Sequence, residues 1–238
     1  MTTTATFTLA DLAATSPAAI RVLEQHGLDY CCGGKQAFDA ACRTKGIAPD
    51  QILREIDAAT AAVPADRDWQ TAPLDELVSH IVETHHAYLK VELPALSARI
   101  AKVVAVHGGR DPQRLPRLAT VFADLRNEME THLVKEEAIL FPFIAQYGVA
   151  QSRNQPAPPV PFGSIAHPIA VMEHEHDGAG DALAEIRDLT DGYNPPAYAC
   201  STVRALYEGL KALEKDLHIH IHLENNILFP RAIAFEKR

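Results

Sequence analysis

No stretch of this 238-residue chain approaches the ~18 consecutive apolar residues that a membrane-spanning helix requires, so no membrane span is expected. Basic residues are the minority, 22 against 31 acidic, and the formal charge of -9 disfavours nucleic-acid binding, which ordinarily shows as a basic stripe. Cysteine is sparse, limited to Cys31, Cys32, Cys42 and Cys200. The opening Met-Thr-Thr-Thr-Ala-Thr-Phe lacks the charged and apolar regions of a secretory signal. Few thiols and no export signal fit a reducing compartment, and the expected location is the cytoplasm. No nucleophile triad, phosphate-binding glycine loop or nucleotide fingerprint supports a common enzyme class. Beyond about residue 65 no convincing strand alternation occurs either.

What the chain has instead is a repeated segment. His132-Leu133-Val134-Lys135-Glu136-Glu137-Ala138-Ile139-Leu140-Phe141-Pro142 returns as His220-Ile221-His222-Leu223-Glu224-Asn225-Asn226-Ile227-Leu228-Phe229-Pro230. Both copies carry a His, a Glu four positions on, and an Ile-Leu-Phe-Pro ending. On a helix, residues i and i+4 share a face one turn apart, so each copy offers an imidazole beside a carboxylate. A buried Glu is costly unless it is paired or bound to metal.

The apolar period places these segments on long helices. Val78, Val82, His86, Leu89, Leu93 and Leu96 advance in steps of four and three, as one helix face should. Leu118, Phe122, Leu125, Met129, His132, Glu136, Ile139 and Phe143 form a second face. Met172, His176, Ala179, Leu183 and Ile186 form a third. Leu206, Leu210, Leu213, Leu217, His220, Glu224, Ile227 and Leu228 form a fourth. His132 and His220 are 88 positions apart, and His86 and His176 are 90 apart, so each half pairs one His on a first helix with His-x-x-x-Glu on a second. Pro142 and Pro230 are expected to end the second helix of each half, since proline cannot continue the ladder. The Pro-, Gly- and Asn-rich stretch 144–167 is expected to join the halves. The fold class is all-α, a four-helix bundle with inward polar side chains at one level.

Four imidazoles (His86, His132, His176, His220) and two carboxylates (Glu136, Glu224) exceed what one tetrahedral zinc needs. They suit two metals, each held by two His and bridged by both carboxylates. Nitrogen and oxygen donors without thiolate fit iron, with manganese, zinc or copper as alternatives. The set leaves each metal undersaturated, open to an oxo or hydroxo bridge, water or a small diatomic ligand. It is richer in His than the Glu-x-x-His ferritin-like pattern and nearer a haemerythrin-type centre. A single His-x-x-x-Glu is more often a solvated helix pair; two copies in phase with apolar stripes reverse that reading. His85, His174, His218 and His222 fall outside the repeat or the phase and read as surface or supporting histidines. Glu128 and Glu175 are candidates for carboxylates that support the ligand histidines, with a structural or solvated role the favoured reading.

Residues 1–65 read as a separate small helical domain, and 70–238 as the bundle. Ser16-Pro17 supplies an N-cap and first-turn pair, with Gly27 placed to end that helix. A second helix is expected over 35–45, stopped by Gly46, and a third from Pro49-Asp50 through Ile56. Residues 61–66 read as a linker. Cys31-Cys32 followed by Gly33-Gly34 reads as a thiol pair on an exposed turn, handling iron, a damaged cluster or a redox partner. The competing reading is a buried pair ending a helix. Cys42 and Cys200 read as packing residues.

At this point the chain resembles the iron–sulfur cluster repair di-iron proteins, which join a short cysteine-containing domain to a haemerythrin-like bundle. The likeness rests on Leu28-Asp29-Tyr30-Cys31-Cys32-Gly33-Gly34-Lys35, on His86, on both Ile-Leu-Phe-Pro segments, and on Met172-Glu173-His174-Glu175-His176-Asp177. It covers nearly the whole chain, and the family's ligands fall on the same six residues. The resemblance implies a cytoplasmic, often homodimeric stress-response protein carrying two iron ions per chain under an oxo or hydroxo bridge. Its implied partners are iron–sulfur proteins damaged by nitric oxide or peroxide. The residues leave three functions open: a non-enzymatic iron donor, a haemerythrin-like binder or sensor of oxygen or nitric oxide, and a reductase of such molecules. The Cys31-Cys32 pair favours the first.

Overall fold

The computed structural model of the protein describes residues 7–60 and 67–238; the expected linker at 61–66 and residues 1–6 lie outside them. The described residues are all-α, with one isolated bridge between Thr8 and Ala37. Four short helices come first: α1 (Leu9–Ala13), α2 (Pro17–Gln25), α3 (Phe38–Lys45) and α4 (Pro49–Thr60). α1 adds to the expected set and is held by a capping box between Thr8 and Asp11. α2 begins as its sequence suggests, with Ser16 Oγ accepting from the Ala19 N–H and Pro17 in the first turn. Gly27 (φ 62°) follows α2, and Gly46 (φ 69°) closes α3 in the left-handed conformation that favours glycine. α3 starts at Phe38, three residues later than expected, because Lys35 and Gln36 are taken up in the turn that carries the cysteines.

The long helices are α5 (Leu74–Ile81) running through a π-helical turn (Val82–His86) into α6 (Ala87–His107), then α7 (Arg114–Lys135), α9 (Ala166–Leu189) and α10 (Ser201–Leu223). α6 packs on α7, α7 on α9, α9 on α10 and α10 on α6, which closes a ring of four. α7 continues through a π turn (Glu136–Leu140) into α8 (Phe141–Ser152), and α10 through a third (Glu224–Leu228) into α11 (Phe229–Glu236).

Those π turns correct three expectations. Pro142 and Pro230 do not end their helices; each sits in the first turn after a π turn, where the helical ladder has shifted and its missing N–H costs little. The segment between halves is correspondingly shorter, since α8 runs to Ser152. The extra residue of the π turn also shifts the phase, so Ile139 is 48 % exposed and Leu140 takes the buried place. In the C-terminal copy both Ile227 and Leu228 stay buried.

The apolar core divides into two bodies. One holds Leu89, Leu93, Met129, Leu133, Ala179, Leu217 and Ile221 together with the core of α1–α4. The other holds Leu77, Ile81, Leu140, Met172, Leu228 and Phe229. Between them lies a level at which the helices turn six polar side chains inward. The N-terminal helices share the first body, and the seam is fastened by Asn226, whose Nδ2 donates to the carbonyls of Tyr30 (3.1 Å) and Cys31 (3.4 Å).

Gly34 is what lets that seam close. A Cβ there would stand 2.6 Å from the Tyr30 carbonyl and 2.9 Å from Asn226 Oδ1. Gly34→Ala is expected to destabilise the protein by about 1–3 kcal/mol, the range for overpacking a close contact. Thermal or denaturant unfolding measures it, and an unchanged midpoint would mean the turn does not lie this close to the bundle.

Candidate metal centre

Each inward polar side chain is delivered by a helix whose apolar phase fixes its direction. His86 closes the first π turn, His132 lies in the last turn of α7, and Glu136 opens the second π turn. His176 sits mid-way along α9, His220 in the last turn of α10, and Glu224 opens the third π turn. All six are fully buried or within 1 % of it. The structure thus brings together every residue of the expected ligand set.

Two donor groups form: His86, Glu136, His220 and Glu224, and His132, Glu136, His176 and Glu224. Both carboxylates belong to both groups. Glu224 Oε1 lies 2.8 Å from His220 Nε2, and Oε2 lies 3.1 Å from His176 Nε2. Glu136 Oε2 lies 3.2 Å from His132 Nε2 and 3.4 Å from His86 Nε2, without the alignment of a hydrogen bond. Nε2 atoms also face each other at 3.1 Å, His86 toward His220 and His132 toward His176.

The donor set fits a pair of cations. Both oxygens of Glu136 and Oε2 of Glu224 are buried without a hydrogen-bond partner among the described residues, a cost normally met by metal or paired charge. Burial alone would push His86 and His132 toward the neutral form. Glu136 and Glu224 outweigh it, holding His86 up at about 10 and His132 at about 9. The carboxylates are depressed in turn, Glu224 well below its usual range, because the imidazoles around it overcome desolvation. In the absence of metal, protons on His86 and His132 do part of the work of cations.

A second layer orients the rings. His86 Nδ1 lies 2.8 Å from Glu137, itself bonded by Lys90. His132 Nδ1 lies 2.9 Å from Glu175, itself paired with Lys135. His176 Nδ1 lies 2.7 Å from Asn225 Oδ1. With Nδ1 donating to these acceptors, a neutral ring would keep its Nε2 lone pair free for a metal. Glu175 is therefore a ring-orienting residue, correcting its reading as solvated; Glu128 is exposed, as expected. Glu137 and Asn225 escaped the sequence reading, although each directly follows a ligand Glu in the repeat.

Models of two families match the chain: the hemerythrin HHE cation-binding domain over residues 77–232, and a domain of unknown function, ScdA_N (DUF542), over 5–60. Proteins named iron-sulfur cluster repair protein YtfE align along nearly the full length. That of Cronobacter sakazakii is 41% identical over 230 residues, covering 96% of this chain and 97% of its own. Those of Enterobacter sp. strain 638 (41%) and Escherichia coli O81 (40%) cover the same shares. The chain belongs to the YtfE iron–sulfur cluster repair family. Its fold is that of the hemerythrin-like members, and among the described residues no helix is long and apolar enough to cross a membrane.

Some of the cysteines and outlying histidines depart from expectation, whereas Cys42 and His174 do not. Cys31 is buried, not exposed, because Asn226 holds its carbonyl down on the bundle. The hydrogen bond with Cys32, then burial, push its thiol well above the ordinary range, so it stays protonated. Cys32 is half-buried, with Sγ 3.5 Å from the carbonyl of ligand His176. Cys42 is buried as a packing residue. Cys200 is exposed at the start of α10, where the Val203 N–H and then His107 lower its thiol to about 7. His85 and His222 are buried; His85 Nδ1 pairs with Asp216 at 2.9 Å, and His222 Nδ1 accepts from Asn226 at 3.1 Å. His174 is exposed and His218 half-buried.

These ionisations set the pH profile of the metal-free protein. The raised His86 and His132 contribute stability that is complete below the ordinary His value, about 6.5, and is lost as pH rises through about 9 and 10. His222, pushed down to about 4 by burial, must charge on unfolding below about 6.5 and so removes stability there. The metal-free melting temperature is expected to peak near pH 6.5 and to fall steadily toward pH 10. A flat profile between pH 7 and 9, measured by calorimetry, would contradict the protonated pair.

Proposed function

We propose that the protein holds two iron ions in this buried layer and restores damaged iron–sulfur clusters by giving that iron up. The observation that carries the reading is that Glu136 and Glu224 each belong to both donor groups, as bridging ligands of a two-metal centre must. Four imidazoles, two carboxylates and no thiolate suit iron held firmly enough to keep and loosely enough to lose. Iron bound there supplies both the cargo and a one-electron redox change. The relatives' shared name, iron-sulfur cluster repair protein, supports the client class, damaged iron–sulfur proteins.

In this reading residues 70–238 hold the metal and 1–65 form the module that meets the client. The protein's own groups do the holding. Glu137 with Lys90, and Glu175 with Lys135, aim His86 and His132 and balance charge at the rim. Cys32 faces a cavity of about 310 Å³ shared with Lys35, Glu173, His174 and Asp177. It is the member of the cysteine pair that a client could reach, with Cys31 behind it as a protonated thiol.

Iron content tests the ligand set. Glu224→Ala or Glu136→Ala is expected to reduce bound iron at least ~10-fold, since each removes a donor from both sites, whereas Glu128→Ala should keep about two irons per chain. Retention of both irons by Glu224→Ala, measured by elemental analysis, would reject the shared bridge.

Repair is separated from gas binding or reduction by the cysteines. The full-length double variant Cys31→Ser/Cys32→Ser should bind its iron normally yet fail to reactivate a peroxide-damaged iron–sulfur enzyme, because thiolate chemistry is removed at nearly constant size. A binder, sensor or reductase of oxygen or nitric oxide needs only an open metal position and would show no such loss. Full repair by the variant would take the cysteines out of the mechanism.

A further inference from the structure

The two donor groups are related by the sequence repeat, but their supports are not. Glu137 follows ligand Glu136 and backs His86; Asn225 follows ligand Glu224 and backs His176. Glu175 precedes ligand His176 and backs His132. The repeat therefore calls for a support at position 85, preceding ligand His86, to back His220. That position is His85, and its Nδ1 is engaged by Asp216 at 2.9 Å. Its ring lies nearly parallel to that of His220, 10° apart with centroids at 5.8 Å, so it stacks where Glu175 bonds. His220 Nδ1 is buried with no hydrogen-bond acceptor among the described residues.

We infer that the metal held by His86 and His220 is the one released first, and that the substitution of a stacking histidine for an acceptor at position 85 makes it so. This rests on the iron-donor reading of the centre. When His220 Nε2 ligates a metal, the ring proton sits on Nδ1, where burial without an acceptor is costly. When the metal is gone, Nε2 can carry the proton and donate to Glu224 Oε1 at 2.8 Å. His132 and His176 have no such relief to gain, because their Nδ1 atoms already face Glu175 and Asn225. Release therefore costs less at the first site than at the second.

Chelation kinetics test this on the full-length, iron-loaded protein. The protein, reduced to the ferrous state, is mixed with excess bathophenanthroline disulfonate, and formation of the coloured ferrous complex is followed. Two phases of one iron each are expected, separated by about 10-fold or more, the usual worth of an orienting partner. His85→Gln, which offers an acceptor to His220, should slow the fast phase toward the slow one. Glu137→Gln should speed the fast phase only, and Asn225→Ala the slow phase only. A single phase of two irons, a slow phase that responds to Glu137→Gln, or no response of either phase to these changes would overturn the assignment. Loss of repair activity in a protein that still releases its irons in this order would count against iron donation and leave the order standing.

Discussion

Everything in this molecule is arranged around two carboxylates with no exposure to water. Glu136 and Glu224 lie in a bundle whose interior is mostly apolar, where an uncompensated charge would be prohibitive. Four imidazoles converge on them, and six side chains at one level cut the core into an upper and a lower apolar body. The helices themselves yield to this demand. Three of the four helices of the ring pass through π turns at or beside one of these six side chains, a distortion that ordinary core packing would not retain.

The layer is not self-sufficient, and its dependencies run outward. Three of the four rings are aimed by side chains that lie partly at the surface or at the edge of the core, two of them tied to lysines. Asn226, two residues after Glu224, clamps the turn carrying Cys31 and Cys32. The same helical segment thus supplies the buried carboxylate Glu224, the partner that orients His176 and the anchor of the cysteine turn. Short contacts join the inward layer to the thiols, through Asn225 and Asn226 and through the 3.5 Å contact of Cys32 with the His176 carbonyl.

The convergence of all six inward side chains is readable from spacing, because helix phase and a two-fold repeat are local properties of the chain. The four bundle helices, the cap at Ser16-Pro17 and the glycine stops are readable for the same reason. The π turns are not: a period of 3.6 assumes no inserted residue, so it places Ile139 inward and makes Pro142 a stop, against their observed exposure and position. Glu137 could have been found by extending the repeat one position past each ligand Glu. The burial of Cys31 could not, since its cause is an asparagine 195 positions away. Nor could the loneliness of His220, which depends on where His85 and Asp216 meet across two helices.

The central claim is that two metals share Glu136 and Glu224 inside the bundle. Anomalous diffraction from crystals of the iron-loaded protein, collected on both sides of the iron absorption edge, tests it most directly. Two iron peaks per chain are expected, one among His86, Glu136, His220 and Glu224 and the other among His132, Glu136, His176 and Glu224. A single peak, or iron bound at the cysteines with the layer empty, would contradict it.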